Sequence, residues 1–178
     1  MGRQGSGSVR SMEIHEAPKT GPGKDTLLTL LDSNRAVMVW KLDGLSIEEA
    51  SRPVVPSGTS LIGLIKHLAY VERWWFDDFF AGNAVDYPWS EEDPDGDFRV
   101  DDGETVDDVI SLYTEAAARS NELVADAQMD DLSVGSRDGE RFALRWIVAH
   151  MIEETARHAG HADIIRELID GTTGDYPE

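Results

Sequence analysis

Residues 150–171, HMIEETARHAGHADIIRELIDG, constrain the fold of this chain more than any other stretch. On a helix, which turns about 100° per residue, four metal-capable side chains share a sector of about 80°. These four are His150, Glu154, His158 and His161. A solvated helix face has no reason to be so rich in histidine, and an apolar core would not keep a glutamate without a partner. The stretch therefore predicts one long helix whose inward face carries polar groups able to hold a metal.

The composition excludes several classes of function. The chain has 178 residues and a formal net charge of −19, so duplex nucleic acid and anionic membrane surfaces would repel it. It has no cysteine, which excludes disulfides and a cysteine nucleophile, so any thiol chemistry must use a thiol from outside. No apolar run reaches the length of a membrane span, and the N-terminus does not have the pattern of a secretory signal. We predict a soluble cytoplasmic protein that binds neither nucleic acid nor membrane.

Helical periodicity recurs in four segments of a single domain. Apolar residues follow the helical period over four ranges, which are 24–42, 61–80, 105–128 and 141–169. Four amphipathic helices without strand pairs predict an all-α four-helix bundle, and the loops 43–59 and 83–104 are long enough for crossover connections. We expect the domain to span residues 24–174, after a disordered lead at 1–23 and before a short tail at 175–178.

A dense acidic run from Glu91 to Asp108 begins in the loop before the third predicted helix and ends in the first turn of that helix. Tyr87, Trp89 and Phe98 are the only large apolar residues of this loop. We predict a solvated loop that is long enough to act as a lid, with a cation or partner site as the alternative.

The last helix also predicts a metal site. Glu154 and His158 are four residues apart, so their side chains meet over one turn and can bind one ion. A third ligand must come from another helix, and His67 is the only histidine predicted on one. The predicted ligands are thus His67, Glu154 and His158. Three alternatives stay open: His67 can be a hydrogen-bonded core residue, His150 or His161 can be a ligand or orient one, and the bundle can lack metal.

Two segments, HLAYVERWWF at 67–76 and LRWIVAHMIEETARHAGHADIIRELIDGTTG at 144–174, resemble the DinB-like superfamily. They are most similar to its actinobacterial branch of small domains, long described as of unknown function. Members are four-helix bundles that hold a divalent metal, often with a histidine on the second helix and a His-x-x-x-His pair on the last. Here Glu154 replaces the first histidine of that pair. A His, Glu and His set resembles the zinc site of mycothiol-dependent maleylpyruvate isomerase. The same change also resembles the related mycothiol and bacillithiol S-transferases.

The resemblance implies a metal-dependent S-transferase that activates a small cytosolic thiol such as mycothiol, as a thiolate, for attack on a small electrophile. It implies zinc at the three ligands, with nickel as the alternative, and Glu154 and His161 as catalytic residues. Trp74 and Trp75 would bind the substrates as an apolar wall, although tryptophans at this spacing also suit a core. Relatives associate through their helices, which implies a homodimer. A metal-dependent hydrolase and a non-catalytic metal-binding stress-response module are the alternatives.

Overall fold

The computed structural model describes residues 12–174, and this part of the chain is helical. Its elements are α1 (Gly23–Trp40), α2 (Ile47–Ala50), α3 (Leu61–Glu72), a π-helix (Arg73–Phe80), a 3₁₀ turn (Gly96–Phe98), α4 (Val106–Val124) and α5 (Leu144–Asp170). Within the same residues there is no strand, only two isolated bridges in the segment before α5. The predicted all-α class is confirmed for this range. The predicted tail and the first eleven residues of the predicted lead lie outside the described residues.

The helix boundaries follow capping signals in the sequence. The side chain of Ser60 accepts a hydrogen bond from the backbone N–H of Gly63 at 3.2 Å, as expected of an N-cap. Thr105 and Asp108 form a capping box at the start of α4. Gly171 ends α5 in the left-handed conformation, with φ of 81°. Within residues 12–174 no helix is both long enough and apolar enough to cross a bilayer.

The long helices pack in two pairs, α1 along α5 and α3 along α4, and α3 also contacts α5. Their buried apolar residues form two clusters. The first joins α3 and α4 to the C-terminal half of α5, and the second joins the π-helix to its N-terminal half. Glu154 and His158 lie on α5 between Met151 of the second cluster and Ala162 of the first. The helix face predicted to be polar therefore falls at the boundary between two apolar cores.

A buried ion pair ties α1 to the end of α3. Arg35 and Glu72 are both fully buried, and two nitrogens of the guanidinium donate to the two carboxylate oxygens at 2.7 and 2.6 Å. Asp32 and Asn121 accept the remaining Arg35 donor at 2.7 and 2.9 Å. Because the geometry is bidentate and every partner is satisfied, this pair tolerates burial and sets how α1, α3 and α4 meet.

The second long helix of the sequence changes type halfway. We expected one α-helix over 61–80, whereas the structure has α3 followed by the π-helix. The N–H of Ala81 donates to the carbonyl of Phe76 at 3.1 Å, a bond across five residues rather than four. This wider turn buries Trp75, Phe76 and Phe79 together, and α-helical periodicity alone does not indicate it.

The acidic loop packs on the domain, so the prediction of a solvated loop is wrong for part of it. Asp97 is only 3% exposed. Lys66 on α3 binds Asp101 and Glu104 of this loop, both at 2.8 Å. A Cβ on Gly63 of α3 would stand 2.5 Å from the backbone oxygen of Phe98, so only glycine permits the observed approach.

Candidate metal centre

The three predicted metal ligands meet where α3 faces α5. Ligand atoms of His67, Glu154 and His158 all lie within 4.8 Å of one another. Nε2 of His158 is 3.1 Å from Oε1 of Glu154, and Nε2 of His67 is 3.8 Å from the same oxygen. The four-residue spacing on α5 explains the first contact, and the packing of α3 on α5 explains the second.

The acidic loop orients the ring of His67. Nδ1 of His67 donates to Oδ2 of Asp97 at 2.6 Å, because a carboxylate can only accept. The ring of Phe98 stacks on the imidazole with centroids 4.2 Å apart and planes 14° apart. Both contacts turn Nε2 toward Glu154, as carboxylate partners do for histidine ligands of metals. Asp97 is not among the residues predicted from the sequence, where its one distinguishing signal is a large apolar neighbour, Phe98, inside an acidic run.

The ring of His158 is held in the neutral form that binds metals. Burial lowers the pKa of His158 below its ordinary value, and the nearby Glu154 carboxylate opposes that shift. Nδ1 of His161 is 3.5 Å from Nδ1 of His158. This is the ring nitrogen of His158 that does not face Glu154, because Nε2 makes that contact. The structure thus places His161 beside the predicted ligands, where it can orient the ring of His158. Its catalytic role stays a prediction.

The three residues suit a first-row divalent ion. Zinc-to-ligand distances of about 2.0–2.1 Å in a tetrahedron separate the ligand atoms by about 3.3 Å. The 3.1 and 3.8 Å separations at Oε1 of Glu154 bracket this value. Two imidazoles with one carboxylate favour zinc or nickel over magnesium and calcium, which prefer oxygen ligands. The other oxygen of Glu154 is 3.5 Å from a guanidinium nitrogen of Arg157, so Oε1 is the oxygen that faces the two histidines.

An open cleft of about 450 Å³ lies beside the predicted ligands and is lined in part by His67 and Glu154. It is lined by His67, Val71, Trp74, Trp75, Trp89, Pro94, Asp97, Phe98, Arg137, His150 and Glu154. Both tryptophans predicted to bind substrates are therefore at the cleft. Trp75 is only 4% exposed and also packs in the second apolar cluster, so it is both a residue of the cleft wall and a residue of the apolar core.

His150 shares the α5 face of the ligands but not their position. Its ring stacks on Trp146 with centroids 5.0 Å apart, and its centroid is 4.9 Å from that of Trp75. The potential metal group found among residues 12–174 consists of His67, Glu154 and His158. His150 thus lines the aromatic end of the cleft, one helical turn from Glu154.

Comparison with known proteins gives one family. A family model described as mycothiol-S-transferase matches residues 26–171, which is most of the chain and includes α3 and α5, the helices that carry the predicted ligands. Among curated proteins, the comparison gives no match. The family match confirms the resemblance seen in residues 67–76 and 144–174. The chain therefore belongs to the mycothiol-S-transferase family.

Proposed function

We propose that this protein is a divalent-metal-dependent S-transferase that joins a small thiol, mycothiol, to an electrophile. The observation that carries the proposal is the meeting of His67, Glu154 and His158 from two helices, within 4.8 Å, beside an open cleft that His67 and Glu154 help to line. The family match supplies the reaction class. The absence of cysteine fits a reaction whose thiol arrives as a substrate.

The chain's own residues would hold zinc, with nickel as the alternative, and orient the ligands around it. His67, Glu154 and His158 are the proposed ligands, and Asp97 keeps Nε2 of His67 aimed at the site. A divalent ion, when bound, supplies positive charge that lowers the pKa of a thiol at its free position. His161 supports the ring of His158 from the other nitrogen, so we assign its predicted catalytic role to positioning.

The cleft walls bind and shield the reactants. Trp74 and Trp75 form an apolar surface beside Glu154, and the ring of Trp89 completes it from the acidic loop. An apolar wall excludes water from the thiol and the electrophile, which favours transfer over hydrolysis. In the reaction the thiol loses its proton to solvent, a carbon–sulfur bond forms, and the leaving group departs with its bonding electrons.

The proposal includes three further expectations, on the topology of the bundle, the cellular compartment and the oligomeric state. We propose a four-helix bundle with crossover connections, which the pairing of α1 with α5 and α3 with α4 supports. We place the protein in the cytoplasm, where a small thiol is kept reduced. We expect a homodimer, and light scattering of purified protein tests it.

The test is metal content measured together with thiol-dependent turnover of a chlorodinitrobenzene. Wild type should contain one zinc or nickel per chain and consume mycothiol, whereas Glu154→Gln should lose both metal and turnover. Glu153→Gln is the matched control, because Glu153 is exposed and pairs with Arg157 at 2.5 Å. Metal-free wild type that still turns over thiol would refute the metal role. Ester cleavage without thiol would favour a hydrolase, and metal without turnover of either kind would favour a binding module.

A further inference from the structure

A tight hairpin before α5 presents Arg137 at the cleft. The N–H of Arg137 donates to the carbonyl of Glu140 at 2.9 Å, and the return bond is 3.0 Å. The two residues between them, Asp138 and Gly139, both have positive φ, 55° and 82°. Asp-Gly with this conformation is the favoured two-residue hairpin turn, because its twist matches that of the flanking strands. The turn therefore sets the position of Arg137 through the backbone.

The hairpin is anchored to the π-helix. The N–H groups of Val134 and Gly135 donate to the carbonyls of Phe80 and Phe79 at 2.9 and 2.8 Å. A Cβ on Gly135 would lie 2.9 Å from the oxygen of Phe79, so glycine permits this close contact. Because the π-helix also carries Trp74 and Trp75, the hairpin is fixed relative to this part of the cleft wall.

Arg137 differs from the other arginines of residues 12–174. Each of those has an ion pair, a side-chain hydrogen bond or an aromatic ring beneath its guanidinium. Arg137 has none of these within the same residues, although the chain has a large excess of acidic residues. It is the one lysine or arginine among the residues that line the cleft. Its five donors are thus available to a ligand.

His150 is a second polar group that lines the cleft. Its ring is fixed between Trp146 and Trp75, and within the described residues neither ring nitrogen has a hydrogen-bond partner. The two carboxylates of the cleft are already engaged, Asp97 with His67 and Glu154 with the proposed metal group. A divalent ion would offset their two negative charges, and Arg137 is the guanidinium of the lining that stays available to an anionic group of a substrate.

We propose that the electrophile carries a carboxylate on a planar apolar body, and that Arg137 and His150 bind this carboxylate. The proposal rests on the proposed function, because it names the substrate class of the same site. The guanidinium binds the carboxylate through charge-assisted hydrogen bonds, and the planar body lies against the half-buried ring of Trp74. The thiol sulfur forms its bond to the electrophilic carbon, the leaving group takes the electron pair of the bond that breaks, and the thiol proton goes to buffer.

The binding test uses the zinc-loaded protein and two unreactive probes, 3,5-dinitrobenzoate and its methyl ester, in calorimetric titrations. Arg137→Gln should weaken binding of the carboxylate about tenfold and leave the ester unchanged. Arg145→Gln is the matched control, since Arg145 is an exposed arginine paired with Asp130 outside the cleft. It should change neither affinity. Equal affinities of wild type for the two probes, or equal losses for both in Arg137→Gln, would overturn the proposal.

Turnover separates this inference from the transferase proposal. With mycothiol and 4-chloro-3,5-dinitrobenzoate or its methyl ester, wild type should prefer the carboxylate, and Arg137→Gln should lose that preference while still using the ester. If wild type uses both equally, the transferase stands and the carboxylate site is refuted. If neither is used but Arg137-dependent binding of the carboxylate remains, the anion site stands and the transferase proposal fails.

Discussion

Asp97→Asn should weaken metal binding without unfolding the protein. Asparagine has the same shape, so the packing of the 3₁₀ turn is preserved, but the charge-assisted bond of 2.6 Å to Nδ1 of His67 becomes a neutral one. Partners of this kind typically contribute a factor of about 10–100 to metal affinity, or about 1.4–2.7 kcal/mol. We expect the upper part of this range, because Asp97 is 3% exposed and water does not screen the bond.

The assay is competition for zinc against a chromogenic chelator, with the thermal unfolding of the metal-free protein as a check on the fold. Asp95→Asn is the matched control, since it removes an exposed carboxylate two residues away. It should leave the affinity unchanged. Asp97→Asn protein with wild-type zinc affinity, or an equal loss in Asp95→Asn, would show that the acidic loop does not orient His67.

The remaining predictions concern the scaffold. Gly96→Ala would drive a methyl group into the carbonyl oxygen of Pro88, and should destabilise the fold by about 1–3 kcal/mol and weaken zinc binding with it. Gly160→Ala, in the interior of α5 with nothing within 4 Å of the added Cβ, should instead stabilise by about 0.5–1 kcal/mol in the same thermal unfolding assay. A similar loss of stability in Gly96→Ala and Gly160→Ala would contradict the close approach of Gly96 to the backbone of Pro88. Glu72→Gln should cost about 3 kcal/mol in urea unfolding, because Arg35 keeps its charge in a fully buried position. A loss below about 1 kcal/mol would mean that solvent reaches the pair.

The sequence predicted the features that depend on local spacing. Glu154 and His158 share a face because a helix repeats its direction every three to four residues, and the structure keeps them 3.1 Å apart. Ser60, Thr105 and Gly171 mark helix ends because their side chains, or the lack of one, act on their own backbone. His67 was reached by elimination, since it is the only histidine predicted on another helix.

The features that sequence reasoning missed depend on contacts between distant segments. Asp97 looks like any other carboxylate of its acidic run, and only the folding of that loop onto α3 buries it against His67. The π-helical turn that gathers Trp75 with Phe79 is set by packing, because the same residues also fit an α-helix.

By itself, the sequence determined the helical class, the helix ends at Ser60, Thr105 and Gly171, the predicted ligand pair on α5 and the membership in its family. Tertiary structure decided that His67 reaches this pair, that Asp97 orients it, and that Arg137 faces the same cleft. The physical reason is the distance along the chain over which each effect acts. Periodicity and capping act over a few residues of one chain segment. A binding site is instead assembled from side chains that only the packing of whole elements brings together.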